Sequence, residues 1–264
     1  MPLPAQTITL TGADAIAFAQ AQFSADACQL EPGRWQWSAW LSAKGRVRAL
    51  MQVARIADDE LLLLLRGGDA TALAHELRRF VFRSKVAITP LPVRTIVDAQ
   101  AMDDGMVIVD GDLTTFGFGT YAFAVGNTVA SQAWRAHAIG AGHPWLDDGH
   151  LGQLLPPSLS LERLHGVSFT KGCFPGQEIV ARLHHLGGNK QHLYSVRVDA
   201  PLTDALALTN DGKHVGVVLN GVQSDAGWIA LTVLHEEFRQ CVGKGSIALN
   251  DGTVILTLEQ AWGA

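Results

Sequence analysis

The run Ser168-Phe169-Thr170-Lys171-Gly172-Cys173-Phe174-Pro175-Gly176-Gln177-Glu178-Ile179-Val180-Ala181-Arg182 places a thiol, an amine, a carboxylate and two glycines within fifteen residues. Pro175 followed by Gly176 favours a helix start, because proline is tolerated in a first turn. Glu178 in that turn complements the positive end of the helix dipole. The spacing predicts a helix from Gln177 to about Leu186, closed by Gly187-Gly188 as a left-handed cap. Cys173 then lies just ahead of a helix N-terminus and two residues from Lys171. Both neighbours favour thiolate over thiol, the form that attacks electrophiles or binds metal. His184 and His185 lie further down the same helix, where a Cys–His nucleophilic pair is weakly supported by the spacing. The competing reading is a small buried cysteine in a tight turn. The Lys, Gly, Gln and Glu packed around this one favour chemistry.

Elements that would position the loop can be read from periodicity. A helix over 14–23 follows a strand over Thr7–Leu10. Arg34–Leu41 carries Trp35, Trp37, Ala39 and Leu41 on one face at period two, and Ser42-Ala43-Lys44-Gly45 turns it into a second strand, Val47–Ile56. Leu61–Leu65 reads as a buried strand, and Asp69–Phe82 as an amphipathic helix with Leu73, Leu77, Phe80 and Val81 on one side. Short strands at Lys85–Ile88, Thr95–Asp98, Met106–Val109 and Thr120–Val125 follow, then helices over Ala130–Ile139 and Leu159–Leu164. Beyond about Asn189, short β-patterned runs separated by Gly and Asp turns predict a small antiparallel barrel or sandwich.

Composition narrows the class. The 264 residues are 48% apolar and 17% charged, which excludes a disordered chain. No apolar run approaches the ~20 residues of a membrane span, and no signal-peptide pattern opens the chain. Cys28, Cys173 and Cys241 are too few and too dispersed for a disulfide framework, and none forms a CxxC pair. Cys28 and Cys241 read as core residues, and the chain as a reduced, cytoplasmic protein with no permanently bound metal. The net charge of -5 argues against direct nucleic-acid binding. It conceals two basic blocks, +6 over 34–94 and +3 over 162–197, which read either as scattered solvated charge or as two halves of an anion site.

The segment Lys171-Gly172-Cys173-Phe174-Pro175-Gly176-Gln177-Glu178 resembles the signature of the YgfZ family. These are folate-binding proteins that assist iron–sulfur cluster assembly, related to the T-protein (aminomethyltransferase) of the glycine cleavage system. The resemblance extends to Leu10-Thr11-Gly12-Ala13-Asp14 with Gln20, Gln22 and Asp26, to Ser42–Arg46, to Arg79–Val86 and to Ala141-Gly142-His143-Pro144. It implies an α+β, T-protein-like ring of three lobes. Residues 1–48 with 130–188 would form a discontinuous folate-binding lobe carrying the Cys motif. Residues 49–129 would form a ferredoxin-like lobe, and 189–264 a C-terminal antiparallel β-barrel.

The resemblance also implies a ligand, tetrahydrofolate or a one-carbon derivative. Trp134 falls where the family places a folate-contacting tryptophan, and Gln20 and Gln22 would serve the ring edge. Lys44 and Arg46 would attract the glutamate tail or an anionic partner; Gln177, Glu178 and Arg182 complete the expected binding set. Ala49 and Leu50 stand where the aminomethyltransferase carries an acidic pair, so an accessory factor is implied rather than that enzyme. The alternative is a tetrahydrofolate-dependent one-carbon transferase. Three departures bear on folate: Ala21, Gly140 in place of an acid, and Pro157-Ser158. Cys173, assisted by Lys171, would be the working group. One cysteine cannot hold a cluster within one chain, so its contact with cluster enzymes, tRNA-modifying ones among them, would be transient or shared. A monomer without membrane contact is expected.

Overall fold

An uninterrupted aliphatic strand requires apolar neighbours on both faces. In the computed structural model, which describes residues 3–127, 133–202, 206–225, 227–250 and 252–263, the Leu61–Leu65 run has both. It belongs to β5 (Glu60–Leu65), the middle strand of a sheet completed by β2 (Thr7–Thr11), β3 (Arg34–Leu41), β4 (Val47–Ala57) and β6 (Ala87–Pro90) in the order β3-β4-β5-β2-β6. Leu61, Leu63 and Leu65 face α1 (Ala15–Gln22) and α2 (Ala70–Arg78), packing with Phe18, Ala19, Leu73 and Leu77. Leu62 and Leu64 face the opposite way, into a core shared with Trp35, Trp37 and Leu50. Asp69 caps α2, its carboxylate accepting from Ala72 N at 2.7 Å.

The second sheet comprises β1 (Pro4–Ala5), β7 (Arg94–Ala99), β8 (Val107–Asp110), β9 (Leu113–Gly117) and β10 (Ala122–Gly126), ordered β1-β7-β10-β9-β8. Asp98 of β7 accepts hydrogen bonds from Ala133 N and Trp134 N, at 3.1 and 2.7 Å, and so holds the start of α3 (Trp134–Gly140) against it. α4 (Gln177–Leu186) follows a long irregular connection. The third sheet, β11 (Gln191–Val198), β12 (Ala207–Asn210), β13 (Lys213–Ser224), β14 (Gly227–His235), β15 (Ser246–Leu249) and β16 (Val254–Trp262), is antiparallel in the order β12-β13-β14-β11-β16-β15. Asn250 draws its edges into a nearly closed barrel, exchanging backbone and side-chain bonds with Thr209 and donating to Ala207 O. All three sheets contribute to one core, in which Leu219, Val233 and Trp262 of the barrel join Trp134, Phe123 and Trp37.

Several expectations change. The expected cut between 48 and 49 falls inside β4, and residues 128–132, which include the cut at 129/130 and the start of the expected helix at Ala130, lie outside the described residues. The helix expected over Leu159–Leu164 is a 3-10 turn, Pro156–Leu159, ended by Ser160 at φ 53°. α2 stops at Arg78 rather than Phe82: the N–H groups of Arg79, Phe80 and Val81 bond to carbonyls three residues back, and Phe82 at φ 44° ends the turn. Among the described residues no helix is long and apolar enough to cross a membrane.

Candidate functional site

Cys173 is exposed, held between two anchored neighbours. Phe174 is buried. Lys171 is buried too, and its ammonium points inward, donating to Phe23 O at 2.5 Å and Ala25 O at 3.0 Å. Burial lowers its pKa to about 8, against the opposing pull of Asp26 and Cys28. Lys171 therefore anchors the loop to the connection between α1 and β3. Ser168 N donates to Ser24 O at 2.8 Å, and Ser24 Oγ to Gly166 O at 2.6 Å, adding two more ties. Cys28, read from the sequence as core, is exposed and lies within the electrostatic reach of Lys171.

This anchoring has a pH signature. The unfolded chain holds the Lys171 proton up to a pH of about 10.5, whereas the folded chain releases it near 8. Between those values the unfolded state binds more protons, so wild-type stability is expected to rise with pH relative to Lys171→Met. Paired urea melts at about pH 7 and pH 9.5 check this; a constant wild-type-minus-variant difference would show the amine to be solvated.

The basic hairpin between β3 and β4 meets this loop. Gly176 has φ 78°, and a Cβ there would lie 2.4 Å from Ser42 O and 2.9 Å from Gly45 Cα. Lys44, Arg46, Glu178 and Arg182 are exposed around the contact, and Gln177 is half-buried. Arg46 donates through Nη1 to Gln153 O. Phe169 stacks on His184 with ring centroids 4.0 Å apart, and His184 Nδ1 lies 2.8 Å from Glu162 Oε1, so of the two histidines weakly indicated as partners for the thiol, His184 is engaged elsewhere.

The remaining site residues lie apart. Trp134 is 2% exposed, packed against Phe123 and Trp145. Gln20 is on α1, behind the first sheet, where its Oε1 accepts from Ala27 N at 2.8 Å and Cys28 N at 3.3 Å. Gln22 ends the same helix. These two glutamines thus sit on the helix-covered side of the sheet, and Trp134 packs into the core on the other.

Sequence reasoning missed the centre of the molecule. Arg66, the residue that ends the leucine run, is fully buried. Its Cζ lies 4.4 Å from the Trp145 ring, 5.0 Å from Trp37 and 5.9 Å from Trp134. Nε donates to Pro144 O at 3.2 Å, while Nη1 and Nη2 find no partner among the described residues. Desolvation lowers its pKa to about 10. The buried amide of Gln52 and the Trp134 Nε1 are likewise unpartnered. A charge terminating an all-leucine strand was the available signal, since buried arginines are rare without a purpose.

Trp37 also forms a wall of a cavity of about 400 Å³ with Trp35, His143, Arg163, Arg34 and Asp104. His143 Nδ1 is 2.6 Å from the Tyr121 hydroxyl. Burial, then the Arg66 and Arg163 charges, push the imidazole pKa down to about 3, so it is neutral near pH 7. Arg163 spans the cavity wall, donating to Ala141 O and Gly142 O at 3.2 and 2.7 Å. Buried aromatic side chains in the wall, with the exposed Arg34 and Asp104 beside them, suit an apolar-bodied, polar-edged ligand.

No family model matches the chain. The tRNA-modifying protein YgfZ of Escherichia coli O157:H7 is 28% identical over 266 residues, covering 86% of this chain and 81% of that protein. The chain is a homologue of YgfZ. The tRNA-modifying protein YgfZ of Shigella boydii serotype 18 is 27% identical over the same shares. The glycine cleavage system aminomethyltransferase T from Bartonella henselae superposes with a TM-score of 0.68 over 97% of this chain and 83% of its own, at 15% identity. That likeness shows the fold: α+β, T-protein-like, with the barrel-like sheet near the C-terminus. The Cys173 loop presents a thiol at the surface, and the Ala141-Gly142-His143-Pro144 turn supplies His143 to the wall of the cavity.

Proposed function

We propose that the protein is a cytoplasmic accessory factor for enzymes that use iron–sulfur clusters, tRNA-modifying ones included, and that it binds a reduced folate. The observation that carries the reading is the exposed Cys173 on a loop tied down by Lys171 and braced by the Lys44 hairpin, in a homologue of tRNA-modifying YgfZ proteins. A rigidly presented, accessible thiol suits transient exchange with a partner rather than permanent ligation. Ala49 and Leu50, both buried apolar groups, offer no acid–base function, which weighs against aminomethyl transfer.

Folate is assigned here to the cavity of about 400 Å³. Trp35 and Trp37 would cover the pteridine, Asp104 would accept from its amino-pyrimidine edge, and Arg34 would meet the glutamate tail. Asp104 would thereby supply the acid that Gly140 lacks. The bound folate would contribute its one-carbon unit or reducing character.

Two experiments separate the halves. Cys173→Ala, expected to fold normally because the side chain is exposed, should abolish support of a cluster-dependent tRNA modification in cells deprived of the endogenous factor; full activity of that variant would remove the thiol from the mechanism. Tetrahydrofolate should quench tryptophan fluorescence, and Asp104→Ala should weaken it about 10-fold, the effect of losing one charge-assisted hydrogen bond. No quenching at about millimolar ligand would place folate elsewhere or exclude it.

A further inference from the structure

The surface around the end of α2 carries features that neither the thiol nor the cavity uses. Phe82 is 88% exposed and sits at φ 44°, so an apolar ring is held in water on a backbone conformation that side chains avoid. Residues 44–48 and 75–85 hold seven basic groups and one acid. That acid, Glu76, is shared by Arg48 at 3.3 Å and Arg79 at 3.4 Å, which remain 41% and 67% exposed. Arg48 also lies 4.4 Å over the Trp40 ring, and Phe80 meets Trp40 edge-on at 6.0 Å, so β3, β4 and α2 present one face. Arg83 and Lys85 flank Phe82 and are exposed, and the fold adds a second acid there, Asp14, whose carboxylate accepts from Lys85 N at 2.6 Å. Lys44 and Arg46 extend the cationic strip to the hairpin that abuts the Cys173 loop.

We infer that this face binds a single-stranded segment of nucleic acid, with Phe82 as a stacking platform and Arg48, Arg79, Arg83 and Lys85 along its backbone. A protein partner is the weaker reading, since the core of a protein interface is apolar and depleted in charge, whereas cations surround the exposed ring here. Here the Phe82 ring, with the partly exposed Phe80 nearby in sequence, stands among cations, the combination that single strands use: bases stack on the aromatic face and phosphates neutralise the charges. The rest of the chain is net acidic, so the strip is polarised toward such a ligand. The expectation drawn from the overall charge, that nucleic acid is not bound directly, is revised accordingly. The inference goes beyond the accessory role and is independent of Cys173.

The test is anisotropy of fluorescein-labelled oligomers of about 12 nucleotides, one RNA, one DNA and one duplex, titrated with the full chain. Single strands should bind more tightly than duplex. Phe82→Ala should weaken them by about 5- to 100-fold while Phe82→Tyr restores binding. Arg83→Ala with Lys85→Ala should reduce the salt slope by about 1.4. RNA preferred over DNA, or both bound alike, supports the platform and identifies the source. Absence of binding at about 50 mM salt, equal binding by Phe82→Ala, preference for duplex, or displacement by an acidic polyglutamate peptide overturns it. Each variant is checked by thermal melting, and the Cys173→Ala protein should bind as wild type.

Discussion

Gly176→Ala is expected to lower the unfolding free energy by about 3 kcal/mol. Two physical effects combine. The backbone at φ 78° disfavours any side chain by about 1–2 kcal/mol, and the added methyl would lie 2.4 Å from Ser42 O. The atoms it meets, including Gly45 Cα at 2.9 Å, are backbone, so no rotamer change relieves the clash. The hairpin must separate from the Cys173 loop, which removes the brace while leaving Lys171 in place. Urea denaturation measures the loss, and thiol labelling of Cys173 should become faster as the loop loosens. A cost near 1 kcal/mol, the backbone contribution alone, would show that hairpin and loop part easily.

At Arg66, Ala and Met should separate packing from charge. Arg66→Ala leaves a hole among Trp37, Trp134 and Trp145, and a loss of about 3–5 kcal/mol is expected, as for other large buried truncations. Arg66→Met refills most of that space, and should remain within about 1 kcal/mol of wild type. The guanidinium makes one hydrogen bond, to Pro144 O, and stacks on tryptophan faces. Against these gains stands the desolvation that depresses its pKa to about 10. The folded pKa lies below the unfolded one, so this penalty is constant until the pH approaches 10 and fades above it. Each variant should therefore differ from wild type by the same amount at about pH 6 as at about pH 9. If Met costs as much as Ala, the charge itself holds the core together.

Much of the fold was legible because the signals were local. The β3–β4 hairpin, β5 and α4 follow from period two, an all-leucine run and a Pro-Gly start, each decided within a few residues. β9 is absent from that reading, since a short strand of mixed polarity takes its identity from the neighbours it pairs with. The Cys173 loop was found for the same local reason, but the roles of its neighbours were not. Lys171 is two residues from Cys173 in sequence, yet its ammonium reaches Phe23 and Ala25, 148 and 146 positions away along the chain.

Residue order is enough to show which thiol stands before a helix N-terminus, where the β3–β4 hairpin, β5 and α4 lie and where charge is concentrated, because these depend on nearest neighbours and on composition. Packing adds that the two basic blocks meet, that Gln20 and Gln22 lie behind a sheet from Trp134, that Cys28 is at the surface and that Arg66 is at the centre. Those outcomes depend on which faces the sheets bury against each other. Periodicity shows that a face is apolar; only the packed chain shows what that face meets.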